Sequence, residues 1–192
     1  KVNGETSIKP VTAYDIPNPA DDYSKTKYLA EQGLMLLHHP SVFDVVIIRP
    51  CLVYGPEVKA NFNALIKLVK MKLPMPFLSI NNLRSFISVD NLCDLILTCS
   101  THPNAAGQVF LGSDDEDLSL PDLIKKIGTA LNIKPLLFHF PSVFLRILLF
   151  LIGKKELSQR LFNNLQVDIE KTKRKLNWLP ATPMIETLKK MT

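Results

Sequence analysis

The chain has 192 residues, 46% of them hydrophobic and 21% charged, with 23 lysines and arginines against 18 aspartates and glutamates. That length suffices for one sizeable core or two small lobes. The formal net charge of +5 suits an anionic small ligand such as a nucleoside diphosphate. No Arg/Lys block with interleaved aromatics marks a nucleic-acid surface. The N-terminus has no signal-peptide pattern, and no apolar run is long enough for a transmembrane segment.

In chain order, "VTAYDIPNPADD" (11–22) carries two prolines in a polar setting and reads as a loop. "DDYSKTKYLAEQ" (21–32) opens a helix predicted to run to about His38. Asp21 and Asp22 put negative charge where a helix start favours it. Steps of three and four from Tyr23 give Lys27, Ala30, Leu34 and Leu37, a stripe predicted to face a core or a cleft wall. A long cation on such a face needs a partner or a task.

"FDVVIIRP" (43–50) is a short β-branched run, predicted to be a strand buried on both faces of a parallel sheet. "CLVYGPEVK" leaves it as a loop. "NFNALIKLVKMK" (61–72) gathers Phe62, Leu65, Ile66 and Val69 on one helix face. "LPMPFLSINN" is a proline-rich turn region. "RSFISVDNLCDLILTCS" (84–100) is a strand feeding a helix with Val89, Leu92, Cys93 and Ile96 as its stripe. A further strand at 108–112, an acidic loop and a helix opened by Ser119 follow, with Pro121 and Asp122 in its first turn.

The remainder is mainly helical, with a short strand "PLLFHF" and a late helix "DIEKTKRKLNW" (168–178). "SVFLRILLFLIG" (142–153) is the most apolar run. As a helix it spans only about 16 Å, half a hydrocarbon core. It is expected to pack in the core or between lobes; Lys154 and Lys155 keep a membrane-surface helix open as the alternative. Cys51, Cys93 and Cys99 fit neither C-x-x-C nor a zinc pattern and read as small buried hydrophobes in a reducing compartment. The alternation of strands and helices argues for an α/β fold. No G-x-G-x-x-G occurs in the sequence.

Tyr23 and Lys27 stand at i and i+4 on one helix face, where two side chains can converge on one ligand. A phenol is a poor base at neutral pH, and an adjacent ammonium stabilises the phenolate. Such a pair can take a proton from an alcohol while hydride leaves the same carbon. Y-x-x-x-K is also met by chance, as a surface cation–phenol pair.

The wider layout is more specific. "DDYSKTKYLAEQ", "VVIIRPCLVYGP", "VKANF", "RSFISVDNLCDLI" and "VDIEKTKRKLNWLP" resemble, in order, the C-terminal half of the NAD-dependent nucleotide-sugar epimerase/dehydratase family, extended short-chain dehydrogenases/reductases. The resemblance implies the C-terminal part of a doubly wound, Rossmann-like parallel sheet with a small, mostly helical substrate-binding lobe. Residues 1–55 and 86–112 would be the remainder of the dinucleotide-binding domain, and 56–85 and 113–192 the lobe. It implies Tyr23 as catalytic base and Lys27 as its partner on the nicotinamide ribose. Pro50, Leu52 and Val53 would lie along the nicotinamide. Asn61 and Arg84 would hold the substrate, Arg84 clamping the nucleotide diphosphate, with Arg160 as a second arginine.

The family's catalytic Ser/Thr would fall upstream of Lys1, and its glycine-rich turn is absent, so the chain is expected to be part of a longer protein and to bind NAD poorly by itself. Lys1 aligns with a glutamate of the 4,6-dehydratases, which disfavours dehydration. The closest resemblance is to UDP-sugar 4-epimerases of surface-polysaccharide pathways. The implied protein is a cytoplasmic homo-oligomer acting on a UDP-sugar with NAD. A reductase using NADPH, and a non-catalytic domain binding a nucleotide sugar or a partner, are the alternatives.

Overall fold

In the computed structural model, residues 2–56 and 61–191 are described, without the side chains of residues 61, 155, 156 and 160. The chain begins with an irregular segment and then α1 (Asp22–Leu37), β1 (Val46–Pro50), β2 (Leu52–Tyr54), α2 (Asn61–Lys70) and β3 (Arg84–Ser88). It continues through α3 (Val89–Thr101), β4 (Gln108–Gly112), β5 (Asp117–Leu118) and α4 (Leu120–Leu131). Four helices complete it: α5 (Ser142–Leu151), α6 (Lys155–Phe162), α7 (Glu170–Leu176) and α8 (Met184–Lys190). The expected helices at 21–38, 61–72, 120 onward and 168–178 are all present, as are the strands at 43–50, 84–88 and 108–112.

Two small sheets organise the chain. β1 pairs in parallel with β4, Val46 opposite Gln108 and Pro50 opposite Gly112. β2 pairs in parallel with β3, Leu52 opposite Phe86, and β3 pairs antiparallel with β5. Parallel strands joined through helices give the α/β architecture expected from the alternating pattern. The stretch after Pro50 is therefore partly strand rather than loop: Cys51 N–H still donates to Gly112 O at 3.1 Å, and the chain then steps across to β3.

Each sheet has its own apolar cluster. Leu95 and Cys99 of α3, Phe110 and Leu111 of β4, and Leu176 and Trp178 pack around the β1–β4 pair. The other cluster joins Tyr54, Phe62, Ile66, Val69, Phe86 and the inner faces of α4 and α8. Tyr54 and Phe62 rings stack at 5.0 Å, and Phe62 meets Phe86 edge-on at 5.6 Å. Ser119 caps α4 as expected, its hydroxyl accepting from Asp122 N–H at 3.2 Å.

Several expectations are corrected. The buried face of α3 is Asn91, Leu95 and Cys99, while Cys93 and Ile96 are exposed. Asn91 is inside because both ends of its amide are matched: Nδ2 donates to Asp114 and Thr182 O, and Oδ1 accepts from Thr182 N–H. A satisfied amide outcompetes an apolar side chain for the inner position. Cys93 is thus not a buried hydrophobe; Cys51 is half-buried and Cys99 buried. "PLLFHF" forms only a single bridge, Leu137 to Met75, not a strand. α5 is not a core helix, since none of its residues is buried. No helix among the described residues is long and apolar enough to cross a membrane.

Candidate functional site

α1 carries the Tyr23–Lys27 pair. Asp21 caps the helix, its carboxylate accepting from Ser24 N–H at 2.6 Å, so Tyr23 lies in the first turn. Within these residues the stripe expected to face a core or a cleft wall meets no core. Ser24 is buried and Tyr28, Glu31, Met35 and His38 are half-buried, whereas Lys27, Ala30, Leu34 and Leu37 are exposed and Tyr23 is 61% exposed. Two adjacent stripes of α1 both carry apolar side chains, and periodicity alone does not choose between them. Polar contacts to β1 do.

Those contacts were not legible as local motifs. The Arg49 guanidinium grips Glu31 from two directions: Nε donates to Oε1 at 3.2 Å and to Oε2 at 3.0 Å, and Nη2 donates to Oε2 at 2.6 Å. Its remaining Nη1 donates to Asn3 Oδ1 at 3.1 Å. The two charged side chains are only 12% and 16% exposed. About two turns beyond Glu31, His38 Nδ1 accepts from Val45 N–H at 3.2 Å. Helix and strand are therefore fixed to each other at both ends of β1. The one signal in the sequence is a charge, Arg49, closing an otherwise apolar run.

The clamp sets the geometry of everything around it. Arg49 directly precedes Pro50, and the strand end leads to Leu52 and Val53, so the helix bearing Tyr23 and Lys27 is tied to the segment bearing those three residues. Lys27 Nζ sits 5.7 Å from the centre of the Tyr23 ring, with both side chains open to solvent. Leu52 and Val53 pair with Phe86 and Ile87 of β3, the strand that Arg84 begins. Arg84 is half-buried, and its Nη1 donates to Asn163 O at 3.4 Å. Asn163 lines a shallow cavity of about 750 Å³ together with Thr6, Ser7, Ile8, Lys9, Phe162 and Asn164. The side chains of Asn61 in α2 and Arg160 in α6, and all of Lys1, lie outside the described residues.

Behind the site, Asp114 joins three elements. It accepts from Tyr54 Oη at 2.7 Å, Asn91 Nδ2 at 2.7 Å and Ser88 N–H at 3.0 Å. Burial pushes its carboxyl above the ordinary range, against the pull of these three donors. Burial and the neighbouring Asp114 charge likewise hold the Tyr54 phenol well above its ordinary value. Tyr54 is thus a fixed donor, and the "YGP" turn is anchored through it. Gly55 follows because there is no room for more: a Cβ there would lie 2.9 Å from Val89 Cγ2.

The family model described as "NAD dependent epimerase/dehydratase family" matches residues 2–111, which include α1, the clamp, β1 to β3 and most of β4. The chain belongs to this family. It is 43% identical over 192 residues to a UDP-glucose 4-epimerase of Vibrio cholerae, covering 98% of this chain and 58% of that protein. Among solved structures, the fold matches a UDP-glucuronic acid 4-epimerase of Bacillus cereus in complex with NAD at a TM-score of 0.73 and 21% identity, covering 99% of this chain and 56% of that one. It also matches RMD of Pseudomonas aeruginosa complexed with NADPH, again at a TM-score of 0.73, with 17% identity and coverage of 98% and 60%. These likenesses give the Rossmann-like fold. The chain spans a little more than half the length of each of these three relatives.

Proposed function

We propose that these residues are the C-terminal part of an NAD-dependent UDP-sugar 4-epimerase. The observation that carries this reading is the Tyr23–Lys27 pair, open on one face of a helix that Glu31 and Arg49 lock to the strand end before Pro50. The Vibrio cholerae relative, similar over nearly the whole chain, supports a UDP-hexose as substrate.

In this reading Tyr23 takes the proton from the sugar hydroxyl and returns it to the oxygen after the sugar has turned. Lys27 stays within reach of the phenol and binds a ribose hydroxyl of the cofactor. Pro50, Leu52 and Val53 form the apolar wall beside the nicotinamide. Arg84 pairs with the diphosphate, for which a guanidinium is well shaped; Asn61 and Arg160 complete the substrate contacts. The donor set fits the nicotinamide-ribose end of NAD, a phenol and an ammonium with exposed faces. When bound, NAD supplies the hydride acceptor and donor, so the reaction has no net redox change.

The same proposal divides the chain into 1–55 and 86–112 as dinucleotide-binding domain and 56–85 and 113–192 as substrate lobe; there are two apolar clusters, but Ile169, Leu176 and Trp178 pack with β4 and α3, and Tyr54 and Phe86 pack with α2 and α4. Surface-polysaccharide biosynthesis, a cytoplasmic location and homo-oligomerisation belong to it as well. The test is to incubate the full-length protein with UDP-glucose and NAD and separate the nucleotide sugars by anion exchange. Interconversion to UDP-galactose without accumulation of NADH is expected. Stoichiometric NADH formation or NADPH consumption would replace the epimerase with a reductase, and no turnover of any UDP-sugar would leave only a binding domain.

A further inference from the structure

α5 offers an apolar surface that the reaction does not use. Ser142, Leu145 and Leu149 turn toward the protein, half-buried. At 100° per residue the opposite arc holds Val143, Phe144, Ile147, Leu148, Phe150 and Leu151, all exposed, Phe144 at 62% and Leu151 at 75%. The helix's single charge does not interrupt this face, because the Arg146 guanidinium folds back to 4.8 Å from the Phe162 ring centre in α6. The segment entering the helix extends the patch: Phe140 and Phe138 are exposed, and the Phe140 ring lies 6.2 Å from that of Phe144. Isolated exposed apolar residues are ordinary in a folded protein; a continuous face of this kind marks an interaction site.

The charges around it indicate the partner. Between residues 133 and 166 the sequence has Lys134, Arg146, Lys154, Lys155 and Arg160 against Glu156 alone. Most of the chain's net positive charge of +5 is therefore gathered on this stretch. A second copy docked face to face would bring two such cationic borders together and be repelled. An anionic bilayer takes both features at once: the apolar arc enters the acyl boundary and the lysines meet the headgroups. Ten helical residues, about 15 Å, are too short to cross a membrane, so α5 would lie in the interface plane.

We propose that α5, with the segment leading into it, docks the protein on an anionic phospholipid surface. The inference does not rest on the reaction assigned above.

The experiment is flotation of the full-length protein with vesicles of phosphatidylcholine alone and with phosphatidylglycerol added, at low and high salt. Partition into the phosphatidylglycerol vesicles, weakened by salt, is expected. Phe144→Asp with Leu148→Asp should weaken it by roughly a hundredfold, from the loss of two apolar insertions. Lys154→Gln and Lys155→Gln should each weaken it by about fivefold. Phe144, Leu148 and Lys154 are exposed, and an unchanged circular dichroism spectrum and melting temperature establish for every variant that the fold is kept. Absence of the wild-type protein from phosphatidylglycerol vesicles would overturn the proposal. So would undiminished flotation of the aspartate variant, or light scattering showing that this variant dissolves a dimer while vesicle binding is absent.

Discussion

Removal of Glu31 is the perturbation with the clearest expected outcome. In Glu31→Ala the Arg49 guanidinium loses all three donations at 2.6–3.2 Å and keeps only Asn3 Oδ1 as acceptor. With the arginine only 12% exposed, the stranded charge is poorly hydrated. Breaking a buried ion pair from one side costs about 3–5 kcal/mol. The small residual exposure admits some water and places the expectation near the lower end, about 3 kcal/mol. For a chain of this size each kcal/mol lowers Tm by about 2–4 °C, so a fall of about 6–12 °C is expected by calorimetry or circular dichroism. The double variant Glu31→Leu, Arg49→Met should recover most of the loss, because neither charge then needs a partner. A Glu31→Ala loss under about 0.5 kcal/mol, the scale of a solvent-screened surface pair, would refute the clamp as the feature that fixes α1 on β1.

Three other outcomes are expected. Asp114→Asn sets an amide N–H against the donors that now point at Asp114 and should cost about 2 kcal/mol in urea unfolding. Because burial raises the folded-state value of Asp114 above its ordinary 3.8, its contribution to stability is fully present below that value and is lost as pH rises through the raised one. The stability of the wild type relative to Asp114→Asn should therefore decline as pH is raised from the acidic side, and a flat difference would contradict the burial. Gly55→Ala forces a Cβ to within 2.9 Å of Val89 Cγ2 and should cost about 1–3 kcal/mol, with Val89→Ala restoring part of it. Ser119→Ala removes the cap of α4 and should lower stability by about 1 kcal/mol, with Ser119→Asp nearly neutral.

Local rules identified most elements because most elements obey them. Ser119 with Pro121 and Asp122 starts a helix for reasons contained within four residues. Phe62, Ile66 and Val69 share a face buried against Tyr54, Phe86 and the inner side of α4. The failures are of a different kind. α1 turns Tyr28 and Met35 inward rather than Leu34 and Leu37 because Glu31 meets Arg49, a residue on another element, and periodicity carries no such long-range term. α3 turns Asn91 inward because Asp114 and Thr182 satisfy its amide. The apolar run of α5 implies burial, yet the described residues leave it outside, because an apolar run does not say which partner covers it. Of the proposed site residues, Tyr23 and Lys27 were singled out by their i, i+4 spacing, and their roles, like that of Arg84, by the resemblance to the family. Glu31 and Arg49 were not, since an ion pair across eighteen positions has no motif.

The most direct measurement is the turnover of UDP-glucose by the full-length protein with Tyr23→Phe, alongside calorimetric binding of the same UDP-sugar. Loss of turnover by at least a hundredfold, with binding and Tm unchanged, is expected if the phenol moves the proton. Wild-type turnover in the phenylalanine variant would contradict the assignment of Tyr23 and the function proposed from it.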